Sequence, residues 1–261
     1  MSDDTTVGHH YDQVAFTSGP GIYSSQPLYD DMYALGEFVR PGPVEVLDAM
    51  CGAGLVGKEM SKRLTAAEIS HTVHYVDLAA KKIEALRQEG NDAQVASVLE
   101  LPYEPQSFDR VYARFGVKNY PRDDQLRIFR KFKDVLKVSG IFVLTDMEAP
   151  PKAYEFMQYE RREKHKYTGL EGNEPHIPTF DDWKTMIREG GFVPRATRRH
   201  ISYVVTADWV KSNQMTPQDL EKMNAFLLAA PETARKSLNI RQEDGLIKID
   251  YPVVIISATA A

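Results

Sequence analysis

Apolar residues recur along this chain with two periods. Between residues 44 and 147, short apolar runs of strand length alternate with stretches of helical period. VEVLDA (44–49), HTVHYVDL (71–78), AQVASV (93–98), FDRVYARF (108–115) and GIFVLTDM (140–147) read as five strands. The connections read as a helix from the glycine turn MCGAG to about residue 64, then AAKKIEALRQEG stopped by Gly90, then DDQLRIFRKFKDVLK. Upstream, the spacing of Leu28, Met32, Tyr33, Leu35 and Phe38 predicts one helix, closed by the breakers in RPGP. Alternation of this kind demands right-handed crossovers and a mostly parallel sheet covered on both faces.

The rhythm changes after residue 150. AYEFMQYERREKHKY is a charged helix, and TFDDWKTMIREGGF is a second one, with Thr179 and Asp182 placed as a capping box. RRHISYVVTADW suggests a strand, and TPQDLEKMNAFLLAA a helix with Thr216 as cap, Pro217 at its first position and Asp219 at its third. LIKIDYPVVIISATA alternates and is β-branched, as a final strand should be. The expectation is a single α/β domain over 1–261 with seven strands, the last two forming an antiparallel edge pair. Its parts are an N-terminal helical lid (1–40), a core (41–150), cap helices (151–192) and a helical insertion between the last two strands (206–245).

Composition narrows the function. The 43% apolar content suffices for a sizeable core, and 32 Lys plus Arg against 37 Asp plus Glu give a net charge of −5. That balance argues against a dominant nucleic-acid surface. One Cys excludes an internal disulfide framework and a four-Cys metal site. The scattered histidines and the lack of H-E-x-x-H disfavour a metal. No run of 18 apolar residues and no apolar leader occur, so the expected location is cytoplasmic, without a membrane partner.

The chemistry concentrates in VLDAMCGAG (46–54), between the first strand and its helix. Gly52 and Gly54 allow a tight turn and close approach of a ligand to the backbone. The second strand ends in Asp77, suitably placed to receive two ribose hydroxyls. Together they indicate an adenosine-bearing cofactor. GAGLVG, with Gly57, satisfies a dinucleotide fingerprint, so an NAD-dependent oxidoreductase has to be weighed. Asp48 opposes it, because a carboxylate just before the turn repels a pyrophosphate and suits a cationic amino-acid end. No Tyr-x-x-x-Lys pair lies on a plausible active-site helix, and no Lys-Ser or Lys-Thr completes a P-loop.

VLDAMCGAG, YVDLAAKKIEAL, VASVLELPYEPQSFDRVYARFGVKNYP and FRKFKDVLKVSGIFVLTDMEAP resemble the class I S-adenosylmethionine-dependent methyltransferases, in order, over about 43–148. FGVKNYP with VLKVSGIFVLTD is similar to the quinone-biosynthesis (menaquinone and ubiquinone) C-methyltransferase branch. That resemblance implies a Rossmann-like fold and S-adenosyl-L-methionine as cofactor. Asp48 and the turn Cys51, Gly52 and Gly54 would hold its methionyl part, Asp77 its ribose, and Leu78 its adenine. Ser97 and Val98 stand where the family has an acidic residue reaching the adenine amine. Arg114 and Phe115 would floor the pocket near the methyl. Met50 stands where the family has Gly, a departure expected to be absorbed by the glycine pair that follows.

The acceptor is less sharply written. His10 and Tyr11 precede the lid, and family layout puts such a segment over the cofactor, with Tyr11 also a cofactor contact. His176, in EGNEPHIP between the cap helices, is the third candidate base; each has a solvated or loop alternative. Cys51 reads as a small filler. A small, partly aromatic or heteroaromatic metabolite is the expected acceptor, with C-, N- or O-methylation open. RNA or protein methylation and a non-catalytic interaction role are the alternatives. MCGAG is similar to the MCGSG turn of some RNA guanine methyltransferases, but the Asn/Asp-Pro-Pro-aromatic stretch of base-amine methylation is missing. Lys118 stands where the quinone branch shows Arg. Trp209, Met223, Phe226, Leu227 and Leu228 of the insertion can cap a pocket or form a homodimer face.

Overall fold

The computed structural model describes residues 4–13, 25–38, 42–167, 170, 174–208 and 216–261. Two helices come first, α1 (Asp4–Gln13) and α2 (Gln26–Leu35). Then follow β1 (Val44–Ala49), α3 (Leu55–Ala66), β2 (His71–Asp77), α4 (Ala80–Gln88), β3 (Asp92–Val95) and β4 (Phe108–Arg114). The chain continues as α5 (Arg122–Val135), β5 (Leu136–Met147), α6 (Tyr154–Lys166), α7 (Phe180–Glu189) and β6 (Phe192–Val205). It ends with α8 (Pro217–Leu228), α9 (Glu232–Ser237), β7 (Arg241–Glu243) and β8 (Leu246–Ala260).

The sheet order is β3-β2-β1-β4-β5-β8-β6, parallel through β5, with β8 antiparallel to both β5 and β6. The chain leaves β1 toward β2 on one side and β4 toward β5 on the other, so the ligand crevice belongs at the carboxyl ends of β1 and β4. Alternation along the strands sorts the core. Leu47, Val111 and Phe142 face Phe129, Phe132 and Trp183 of α5 and α7, while Val46, Tyr112 and Val143 face Met32, Leu35 and Met60 of α2 and α3.

Several boundaries differ from the sequence reading. α2 stops at Leu35, and Phe38 packs beyond its end. β5 begins at Leu136 directly from α5, where the pattern predicts it to begin at Gly140. β6 starts at Phe192, six residues before RRHISYVV. The insertion is not wholly helical, and the sheet has an eighth strand: β7 pairs with β8. Asp244 (φ 53°) and Gly245 (φ 77°) turn that hairpin, and the Asp-Gly pair was its signal in the sequence. The predicted capping box at Thr179 and the predicted cap at Thr216 both form, each threonine accepting from the amide of the residue three positions on, and at Thr216 Asp219 completes a box as well.

β8 pairs with β5 only from Val253 to Thr259, so its first half overhangs the carboxyl end of the parallel strands. Ile247, Ile249 and Tyr251 on that overhang, with Ala153, Met157 and Leu227, form a separate cap core. Met223 and Leu227 are buried, and Phe226 stacks on Phe156 with centroids 5.4 Å apart. The insertion's apolar residues are therefore largely spent inside the cap, leaving Leu228 partly exposed; Trp209 lies outside the described residues.

Candidate functional site

The turn after β1 is built by three left-handed residues: Met50 (φ 56°), Gly52 (φ 53°) and Gly54 (φ 72°). The bending is therefore not left to the glycines, as the sequence suggested; Met50 shares it, at a cost on the order of 1–2 kcal/mol for a residue with a Cβ. Gly116 makes room for it, since a Cβ there would lie 2.4 Å from the Met50 sulfur. Phe115, just past the end of β4 and beside it, is left-handed too (φ 56°). Two neighbouring strands thus turn sharply at the crevice.

Two carboxylates flank the turn. Asp48 is buried, and its Oδ2 accepts from the Gly57 amide at 2.8 Å. Gly57 is in the first turn of α3, so Asp48 occupies a donor that a phosphate would otherwise take. This carboxylate is the reason the fingerprint GAGLVG does not read as a pyrophosphate cradle. Gly57 itself serves packing, because a Cβ there would lie 2.4 Å from the Tyr75 ring. Burial, with the Asp77 charge adding to it, pushes the Asp48 carboxyl up to about 7 against the Gly57 amide and Arg114, which favour its charge.

Asp77 ties the two turns together. Its Oδ2 accepts from Gly52 N at 2.7 Å and its Oδ1 from Ala79 N at 2.9 Å. Burial raises its carboxyl as well, opposed by those amides and by Lys82. Lys82 is itself lowered to about 8 by burial, with Asp77 and Asp12 supporting its charge. Between Asp48 and Asp77 the Cys51 thiol is pushed well above its ordinary range, by burial first and then by both carboxylates. A thiol held neutral is a filler. The donor set, two carboxylates whose charge burial penalises, fits a cationic ligand with ribose hydroxyls.

The remaining cofactor candidates surround this pair. Leu78 is partly buried beneath α1, where a Cβ on Gly8 would lie 2.3 Å from the Leu78 carbonyl oxygen. Asp12 of α1 accepts from Lys81 N at 2.7 Å in the first turn of α4. His10 and Tyr11 ride on that same helix, partly buried, with rings 5.0 Å apart. Ser97 is buried and its Oγ accepts from Leu99 N at 3.4 Å, whereas the Val98 side chain belongs to the core.

β4 supplies the other wall. Arg114 donates to the Tyr29 hydroxyl of α2 at 3.0 Å, with its guanidinium 5.2 Å from that ring. His176 is held by Gln125: the Gln125 amide nitrogen donates to the carbonyls of Val117, Tyr120 and His176, so its Oε1 accepts from His176 Nδ1 at 3.1 Å. That leaves the lone pair on Nε2, and burial lowers the imidazole's pKa so that it stays neutral. His10 and Tyr11 thus stand over the β2–α4 corner, and His176 stands against the segment after β4.

Sequence reasoning missed a polar group on the β4–β5 side. Lys118 is buried over the Phe115 ring, donates to the Phe115 carbonyl and pairs with buried Asp146 at 3.4 Å. Lys164 of α6 pairs with Glu160 and donates to the Tyr251 hydroxyl at 3.0 Å. Tyr251 in turn donates to Glu160 at 2.7 Å. Arg161 reaches the Asn119 amide oxygen. In the sequence Glu160 and Lys164 belong simply to a charged helix, and Asp146 to the end of a strand. Only the overhang of β8 buries them together.

Comparison with known proteins agrees with this geometry. The family described as "Methyltransferase domain" matches residues 46–140. Demethylmenaquinone methyltransferase of Thermotoga maritima is 28% identical over 116 residues, covering 44% of this chain and 48% of that protein. The chain thus spans about half the length of the curated relatives it matches. Among solved structures, the YcgJ protein of Bacillus subtilis superposes with a TM-score of 0.76 at 19% identity, covering 90% of this chain and 99% of that one. The [4+2]-cyclase SpnF does so with 0.59 at 16%, covering 98% and 96%. These two share the fold, and the cyclase illustrates that the fold alone does not fix the reaction. Residues 46–140, with the carboxylates and glycine turn they contain, match a methyltransferase domain, of the S-adenosylmethionine-dependent class I type.

Proposed function

We propose that this protein transfers a methyl group from S-adenosylmethionine to a small acceptor, partly aromatic or heteroaromatic, lying over the carboxyl ends of β4 and β5. The observation that carries the reading is the pair Asp48 and Asp77 at the ends of adjacent strands, joined through the left-handed turn by the Gly57 and Gly52 amides. The bound cofactor supplies an electrophilic methyl on a sulfonium sulfur. Asp77 receives its ribose hydroxyls through lone pairs that the two amides leave open. Asp48 and the turn Cys51–Gly54 hold the methionyl end. Leu78 packs on the adenine, Ser97 and Val98 border it, and Tyr11 covers it from α1. Arg114 and Phe115 floor the acceptor side.

The protein's own work is orientation and exclusion of water. α1 and α2 close over the site, the former fastened by Asp12 and the latter by Arg114. Where the acceptor must lose a proton, His176 is a suitable base, being neutral with a free lone pair on Nε2; His10 and Tyr11 are the alternatives from the lid. The small aromatic acceptor is supported by the similarity, over 116 residues, to a protein named demethylmenaquinone methyltransferase.

Titrating the purified chain with S-adenosylmethionine and, separately, NAD tests the assignment. Binding of the first alone is expected, and absence of it would refute the reading. Asp77→Ala should weaken that binding by at least about tenfold, the loss of a charge-assisted bond, while the thermal transition persists. Unchanged affinity in a folded Asp77→Ala variant would remove the ribose role.

A further inference from the structure

Among the described residues, the polar group between α6, the segment after β4 and the β8 overhang contains more positive than negative charge. Lys118 is matched by Asp146, and Lys164 by Glu160. Arg161 has no carboxylate partner among the described residues. One end of its guanidinium meets the neutral Asn119 side chain, and its buried Nε–H meets no acceptor among the described residues. An uncompensated cation beside two buried ion pairs is costly, and a neutral amide does not repay it. Burial and the Arg161 charge both hold the ammonium groups of Lys118 and Lys164 below their ordinary range, with Asp146 and Glu160 opposing.

The position of this charge gives it a use. Asn119 also donates to the Phe115 carbonyl at 3.4 Å, so Arg161 is two hydrogen bonds from the residue that follows β4. Tyr251, on the overhang, closes the same group from above. An anionic group entering the acceptor side would find a guanidinium already oriented by Asn119 and short of one acceptor, the arrangement that binds carboxylates and other oxyanions.

We propose that Arg161 receives an oxyanion of the methyl acceptor, so that the substrate class is a small molecule carrying a carboxylate or an ionised phenol or enol. This rests on the methyltransferase reading for the word acceptor; the anion site itself does not.

Matched probes test it on the full chain, with and without S-adenosylhomocysteine. 4-Hydroxybenzoate is compared with 4-hydroxybenzamide, and 4-nitrophenolate with 4-nitroanisole in mildly alkaline buffer. At least one anion should bind about tenfold or more tightly than its neutral partner, the first pair reporting a carboxylate and the second an ionised phenol. Arg161→Gln, which keeps a donor toward Asn119, should bring that ratio to within about twofold. Arg161→Lys should retain part of it, and the affinity for S-adenosylhomocysteine should not move. If neither anion outbinds its partner, or the preference survives Arg161→Gln, the proposal is overturned. If the nucleoside fails to bind while the anion preference holds and depends on Arg161, the methyltransferase reading fails and the anion site stands.

Discussion

Asp48 does more than any other single residue to distinguish the two adenosine-cofactor chemistries that this glycine turn can serve. Facing the first turn of α3, it takes the Gly57 amide and so fills with an acceptor the position a pyrophosphate needs. Because the fold raises its carboxyl to about 7, the folded state prefers the neutral form. Its contribution to stability is therefore complete below the unfolded carboxyl range and lost as pH rises through about 7. Asp48→Asn keeps an acceptor for Gly57 without the charge. Denaturation by urea across a pH series should show the variant overtaking wild type above neutrality, by a margin on the order of 3 kcal/mol. A cationic ligand should draw a proton out of the wild-type site near neutral pH, visible as buffer-dependent heat, and bind the variant more weakly. Identical pH profiles for the two proteins would refute this role.

At the scale of elements, β4 grips α2 through one face of alternating residues. Arg114 binds Tyr29, Tyr112 donates to the Met32 carbonyl at 3.3 Å, and buried Arg110 donates to the carbonyls of Gly36 and Glu37. Residues 110, 112 and 114 thereby follow the helix turn by turn, and Arg110 satisfies the carbonyls that α2 leaves open at its end. This is why α2 stops at Leu35 and does not run to Phe38. Arg110→Met should expose those carbonyls to an apolar neighbour and cost on the order of 2–3 kcal/mol in urea unfolding, with α2 amides exchanging faster. α1 is fastened more lightly. Asp12→Ala removes its cap on α4, which should cost about 1 kcal/mol and raise the dissociation constant for S-adenosylmethionine several-fold, read by calorimetry, while leaving β-sheet exchange unchanged.

At the scale of the molecule, stability and recognition are separated in space. The strands β1, β4, β5 and the second half of β8 are buried on both faces, and α5 with α7 seals one of them. The proposed site lies at their carboxyl ends, among α1, α2, α6 and the overhanging half of β8. Hydrogen exchange should accordingly rank β4 and β5 as slowest and α1 as fastest among the described elements, and cofactor should slow α1 and the β1–α3 turn more than the cap. Equal slowing of the cap helices would show instead that the two halves move as one. No helix of the described residues is long and apolar enough to cross a membrane, and among them no group of His, Cys, Asp and Glu could hold a metal ion.

The chain by itself determined whatever local chemistry determines. The apolar runs of 44–147 marked five parallel strands, because strands of a sheet covered by helices are mostly apolar. The caps Thr179 and Thr216 announced α7 and α8, and VLDAMCGAG announced the tight turn after β1 at which we propose the cofactor binds, since turn geometry and first-turn donors are short-range. Tertiary structure decided the rest. That Met50 would itself adopt φ 56° depended on Gly116, 66 positions away. That Arg110 would leave water for a strand interior depended on the carbonyls at the end of α2. Asp146, Glu160, Arg161, Lys164 and Tyr251 looked like ordinary surface and strand residues, and Lys118 like a departure from the quinone branch, until β8 ran past the sheet and enclosed them. A charge acquires meaning from what excludes water around it, and that exclusion comes from segments distant in sequence.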